Sequence, residues 1–139
     1  MQAKASHNSE SIEQISLMHW AVFMENKYPE LELLYHVPNG GKRDRTTAAK
    51  LKAEGVKAGV PDLVLPVGRG GYLGLYIEMK VGKNKTTANQ EYWLKKLTEQ
   101  GYRTAVCYGW EEASAVLEDY LSQMPTLRII NEWRKMNET

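Results

Sequence analysis

The chain holds a single cysteine, no long apolar run and almost no net charge. One cysteine, Cys107, excludes an intramolecular disulfide; its apolar setting between Thr104 and Tyr108 marks it as a small hydrophobe rather than a catalytic thiol. No stretch approaches 18 uninterrupted apolar residues, which excludes a membrane-spanning helix. Met1 to Glu10 is polar, lacks the apolar segment of a signal peptide, and is expected to be disordered over residues 1–8. Repeats and low-complexity segments are also missing. With 139 residues, the remaining expectation is one domain over residues 1–139 in a reducing, cytoplasmic compartment.

A net charge of +1 does not announce a polyanionic partner, but its distribution is uneven. Residues 42 to 57 carry six basic side chains against Asp44 and Glu54, and residues 80 to 96 carry five lysines against Glu91. Acids instead dominate from Glu10 to Glu32 and from Glu111 to Asp119. Taken singly, each basic stretch is most simply the solvated face of a helix. Together they flank the segment with the strongest chemical signal.

That segment is Gly59-Val60-Pro61-Asp62-Leu63-Val64-Leu65, followed by Ile77-Glu78-Met79-Lys80. In the second run Leu73, Leu75, Ile77 and Met79 share one parity, and Tyr72, Tyr76, Glu78 and Lys80 share the other. Strand alternation sends the first set to a core and turns Glu78 and Lys80 to the opposite face. Their α-carbons would then lie roughly 6–7 Å apart. A neighbouring strand carrying Asp62 would complete an acid–acid–lysine cluster. Hard divalent ions take oxygen ligands, usually one or two carboxylates plus water and phosphate. Asp62 and Glu78 supply those carboxylates, and the Met79 carbonyl a third oxygen. Such an ion polarises a phosphoryl oxygen and activates water, while Lys80 orients or deprotonates that water or stabilises developing charge. An acid and a lysine on an exposed edge strand would alone be only a solvated pair, worth about 0–1 kcal/mol.

Around this core the chain alternates helices and strands. A helix is expected from Ser9 or Ser11 to Asn26, with Ile12, Ile15, His19, Val22 and Phe23 on its packed stripe. Leu31 to Val37 reads as a strand ended by the turn Pro38-Asn39-Gly40-Gly41, whose glycines let backbone amides approach a phosphate. Thr46 or Thr47 caps a short helix to Glu54. Strands over 60–66 and 71–80 are joined through Gly68 to Gly71, which is a hairpin and not a nucleotide-binding loop. Thr86 or Thr87 caps a helix from Ala88 to Gln100, burying Tyr92, Trp93 and Leu97. A strand from Arg103 to Gly109, a helix from Glu111 to Gln123 and a further element from Leu127 to Trp133 complete an α/β sandwich with a mixed central sheet.

These motifs resemble the VRR-NUC branch of the PD-(D/E)XK nuclease superfamily. The resemblance rests on His36-Val37-Pro38-Asn39-Gly40-Gly41-Lys42-Arg43, on Leu51 to Asp62 with its Gly-x-x-x-Gly-x-Pro-Asp ending, on Glu78-Met79-Lys80, and on Gln90-Glu91-Tyr92-Trp93. It covers about residues 10 to 115. It implies a restriction-endonuclease-like fold and Mg²⁺- or Mn²⁺-dependent hydrolysis of DNA, with Asp62, Glu78 and Lys80 catalytic and Gln90 accessory. An acid on the first helix is implied as a further metal ligand: Glu13 is the first choice and Glu10 the second. His36, Asn39, Lys42, Arg43 and Lys57 are implied as phosphate contacts. Stand-alone members look like homodimers that cut branched DNA such as four-way (Holliday) junctions, in bacterial or phage-infected cytoplasm. The rival readings are a flap- or duplex-cleaving nuclease on the same fold, and a catalytically inactive nucleic-acid-binding module.

Overall fold

Strand β3 (Leu75–Lys80) is the axis of the fold, which a computed structural model describes for residues 2–38 and 44–138. Its parity behaves as alternation requires: Leu75, Ile77 and Met79 are buried in the core. On one side β3 pairs antiparallel with β2 (Leu63–Leu65), placing Leu63 opposite Ile77. On the other it pairs in parallel with β4 (Arg103–Tyr108), from Leu75↔Arg103 to Lys80↔Tyr108. The short β1 (Tyr35–His36) pairs antiparallel with β2, giving a mixed sheet in the order β1-β2-β3-β4. Helices flank that sheet, which is the expected α/β arrangement.

Helix α1 (Gln2–Phe23) begins earlier than Ser9 or Ser11 and runs into a 3-10 turn at Met24–Asn26. Its core-facing stripe is Leu17 and Ala21, with Met18, Trp20 and Met24 packed beside them. The stripe expected to pack faces outward instead: Ile12, Ile15, His19, Val22 and Phe23 are all exposed, Phe23 at 79%. Two apolar stripes run along this helix. The one that packs carries Ala21, which is small enough to admit close approach to its neighbour. Helix α4 (Trp110–Leu121) contributes Ala113, Leu117, Tyr120 and Leu121 to the same core. The Tyr120 hydroxyl is satisfied there by donating to the Val67 carbonyl at 2.6 Å.

The expected strand from Leu31 to Val37 is largely replaced by a 3-10 turn over Pro29–Leu33, leaving only Tyr35 and His36 paired. Pro29 starts that turn because its fixed φ suits a helical first position. Helix α2 (Arg45–Ala53) is capped by Asp44, whose carboxylate accepts the Thr47 amide at 2.7 Å, and not by a threonine. Leu73 is 55% exposed, because β3 starts only at Leu75. Helix α3 (Ala88–Glu99) buries Leu94, while Tyr92 is 60% exposed and Trp93 and Leu97 are half-buried. The terminal segment is a full helix, α5 (Thr126–Asn137).

Candidate active site

The register that pairs Leu63 with Ile77 sets Asp62 opposite Glu78 one step further along. Directly opposed residues of an antiparallel pair share a face, so the two carboxylates lie on the same side of the sheet. The Asp62 side chain also ends the ladder, its Oδ2 accepting the Met79 amide at 2.8 Å. Its carbonyl takes two more donors from the β1 side, the Val37 amide at 2.7 Å and His36 Nδ1 at 2.9 Å. Asp62 is thus held from both neighbouring segments.

Glu78 and Lys80, expected on the face opposite the core, are buried at 3% and 7% exposure and so are not a solvated surface pair. The reason is positional: β3 is an interior strand, and the start of α3 covers its outer face. Glu78 Oε1 accepts Gln90 Nε2 at 2.8 Å and stands 3.9 Å from Lys80 Nζ. Its other oxygen, Oε2, is buried and has no hydrogen-bond partner among the described residues. Burial, then the nearby Asp62 carboxylate, push the Glu78 carboxyl up to about 8, against the opposing pull of Lys80. A buried acid oxygen without a partner beside a second acid is relieved by taking up a proton or a cation.

Gln90 is positioned by a capping box at the start of α3. Thr87 Oγ1 accepts the Gln90 amide, and Gln90 Oε1 accepts the Thr87 amide at 2.8 Å, which leaves Nε2 aimed at Glu78. Thr87 was legible as a cap; its part in orienting the acid was not. Gly59 was missed as well. At φ +90° it lies so close to α3 that a Cβ would stand 2.6 Å from the Asn89 carbonyl carbon, so only glycine lets the Asp62 segment seat against that helix.

These groups open into a cavity of about 550 Å³ whose wall includes Glu10, His36, Asp62, Glu78, Met79, Lys80 and Gln90. Glu13 does not line it. One helical step away, its Oε2 accepts the Trp110 amide at 2.8 Å and closes the N-terminus of α4. Glu10 faces the cavity, so the second choice for the acid on α1 is the one that geometry favours. Lys57 is exposed on the segment leading from α2 to Gly59. Asn39, Lys42 and Arg43 lie outside the described residues.

The donor set suits a hard divalent ion. Among the described residues no three His, Cys, Asp or Glu side chains form a ready cage. Two carboxylates with water and substrate oxygens are nonetheless the usual Mg²⁺ complement. Zinc chemistry, which relies on His and Cys ligands, does not fit these residues.

Comparison with known proteins agrees with this fold. The VRR-NUC domain model matches residues 7–111. A solved structure of a VRR_NUC domain protein is similar at a TM-score of 0.70 and 32% identity, covering 82% of this chain and 88% of that one. No match is found among curated proteins. With most of its length matched, the chain belongs to the VRR-NUC family and carries that family's nuclease domain of restriction-endonuclease-like fold.

Proposed function

We propose that the protein is a divalent-cation-dependent, structure-selective DNA endonuclease that hydrolyses phosphodiester bonds in branched DNA such as four-way junctions. The observation that carries this reading is the buried, partnerless Glu78 Oε2 beside Asp62. Asp62, Glu78 and the Met79 carbonyl would hold Mg²⁺ or Mn²⁺, with Glu10 reaching in from α1. When bound, the ion supplies Lewis acidity to the scissile phosphate and to the attacking water.

The chain's own residues supply the remainder. Gln90 fixes the Glu78 carboxylate through one oxygen and leaves the other buried without a hydrogen-bond partner among the described residues. Lys80 Nζ stands close enough to Glu78 to share its charge, and from there orients the attacking water or takes its proton. The half-enclosed wall limits bulk water around the reacting phosphate. His36, Asn39, Lys42, Arg43 and Lys57 are the proposed phosphate contacts, of which His36 lies on the cavity wall.

The proposed assembly is a homodimer, which two simultaneous cuts in a junction would require. It is supported by the exposed apolar stripe of α1 and by the exposed apolar side chains Leu127, Ile130, Trp133 and Met136 of α5. The free, buried Cys107 accords with the proposed cytoplasmic location. No helix among the described residues is long and apolar enough to cross a membrane.

The test is a cleavage panel of labelled four-way junction, flap, nicked and linear duplex substrates, each with Mg²⁺, Mn²⁺ or chelator. Junction cleavage that needs the ion and is lost in Asp62→Asn is the expected outcome. Asparagine keeps an oxygen for the Met79 amide, so folding should persist. Equal cleavage of every substrate would remove structure selectivity. No cleavage of any substrate by the folded wild-type chain would favour a binding module.

A further inference from the structure

Among the described residues, helix α2 is the α-helix of the sheet-flanking set that buries no side chain at all. It has no buried residue, and from Asp44 to Ala58 only Leu51 is even half-buried. Nine residues without a packed face fall below the length at which a helix is stable alone. Only local caps hold it: Asp44 at the start, and at the end the amides of Gly55 and Val56 returning to Lys52 and Leu51.

Its charge is equally unbalanced. Arg45, Lys50, Lys52 and Lys57 face a single acid, Glu54, once Asp44 is spent on the cap. Among the described residues none of the four cations has an acid within 4.0 Å. Arg45 sits in the first turn, where the helix dipole disfavours a cation, so helix stability does not account for it. At 100° per residue, the face opposite the Leu51 anchor presents Thr46, Ala49 and Ala53, flanked by Arg45 and Lys52 on one side and Lys50 on the other, with no acid among them. A flat, cationic face permits close approach to a polyanion.

Its placement is the second argument. The chain leaves the cavity wall at Pro38 and returns to it at Ala58 and Gly59, so the excursion bearing α2 has both feet on the rim of the site. Gly59, seated without spare room on Asn89, makes the second foot rigid.

We propose that α2 is a cationic arm that lies along the phosphate backbone of the duplex flanking the scissile bond, with Arg45 and Lys52 as its two principal contacts. Its length of about 14 Å spans several phosphates at roughly one charge per 1.7 Å of duplex. The contacts carry no base readout, so the arm supplies affinity and position without sequence preference. The inference rests on the nuclease reading of the adjoining cavity.

The experiment measures binding of a labelled duplex to the full Asp62→Asn chain over a range of salt concentrations. Arg45→Ala with Lys52→Ala should lower the slope of log affinity against log salt by about 2 and weaken binding roughly 10-fold. Alanine favours the helix at both positions, so the far-ultraviolet spectrum and melting temperature should hold. Arg134→Ala with Lys135→Ala removes the same charge from α5 and should leave the slope unchanged. An unaltered slope in the α2 variant, an equal fall in the α5 control, or a fall in oligomeric mass in the α2 variant would each overturn the arm. The two readings fail separately. A wild-type chain that cleaves DNA with an α2-independent salt slope sinks only the arm. One that never cleaves but binds duplex through α2 sinks only the nuclease.

Discussion

Gln90 donates its side-chain amide to Glu78 Oε1 at 2.8 Å while its carbonyl oxygen closes the N-terminus of α3 at Thr87. One side chain therefore serves the helix and the acid together, and substitution separates the two duties. Gln90→Glu keeps a capping-box acceptor but sets a second anion against Glu78. It should preserve the melting temperature and lower cleavage by about 10- to 100-fold, the usual penalty for losing a ligand's supporting contact. Gln90→Ala should lose activity and about 1 kcal/mol of stability as well. Full activity in Gln90→Glu would show that the amide does not orient the acid.

The raised carboxyl of Glu78 makes stability depend on pH with an inverted sign. Below about 4.5 the group is protonated whether the chain is folded or not. Between there and about 8 the folded state keeps a proton that the unfolded chain has released. Stability from this group is thus present at acid pH and is lost as pH rises through that window. Glu78→Gln should cancel the slope, so the difference in melting free energy between wild type and variant, in chelator, should change steadily from pH 5 to pH 8. Mg²⁺ should flatten the wild-type curve, since binding requires the ionised form. Parallel curves in chelator would refute the shift.

Glu10 lines the cavity and Glu13 caps α4, so their substitutions should have separate effects. Glu13→Ala removes the acceptor at the start of α4 and should cost about 1–2 kcal/mol. Glu10→Gln should leave melting unchanged and weaken the divalent-ion dependence of cleavage. Titrating Mg²⁺ against initial cleavage rate for both variants distinguishes them. A Mg²⁺ requirement raised by Glu13→Ala and not by Glu10→Gln would return Glu13 to the ligand set.

The outward stripe of α1 adjoins the cavity, because Ile12 and Ile15 alternate with the wall residues Ser11 and Gln14. A second copy covering that stripe would bring two sites near one another. Ile15→Glu with Phe23→Glu should halve the solution mass, measured by light scattering, and abolish paired cuts in a junction. An unchanged mass would take α1 out of the interface.

Much of the site was readable from residues alone because strand parity is strict. Leu75, Ile77 and Met79 against Glu78 and Lys80 needs only a period of two, and the observed faces follow it. What parity cannot say is what lies above the polar face, and the burial of Glu78 and Lys80 came from α3. Helix α1 failed for a related reason. Its residues offer two apolar stripes of similar strength, and only the neighbour decides that Leu17 and Ala21 pack while Ile12 and Phe23 do not. The same rotation places Glu10 on the cavity wall and Glu13 at the start of α4. In Leu31 to Val37, apolar content suggested a strand, and the backbone restraint of Pro29 prevailed.

Strand β3 is bounded by β2 along one edge and β4 along the other. A ribbon so enclosed has no open side on which to slide by a residue, and a single-step slip would exchange Glu78 and Lys80 for Ile77 and Met79. The floor of the site is thereby proofed against misalignment. Adaptation to new substrates is left to the rim, where the segment before Gly59 can be rebuilt while Gly59 itself stays fixed by its seat on Asn89.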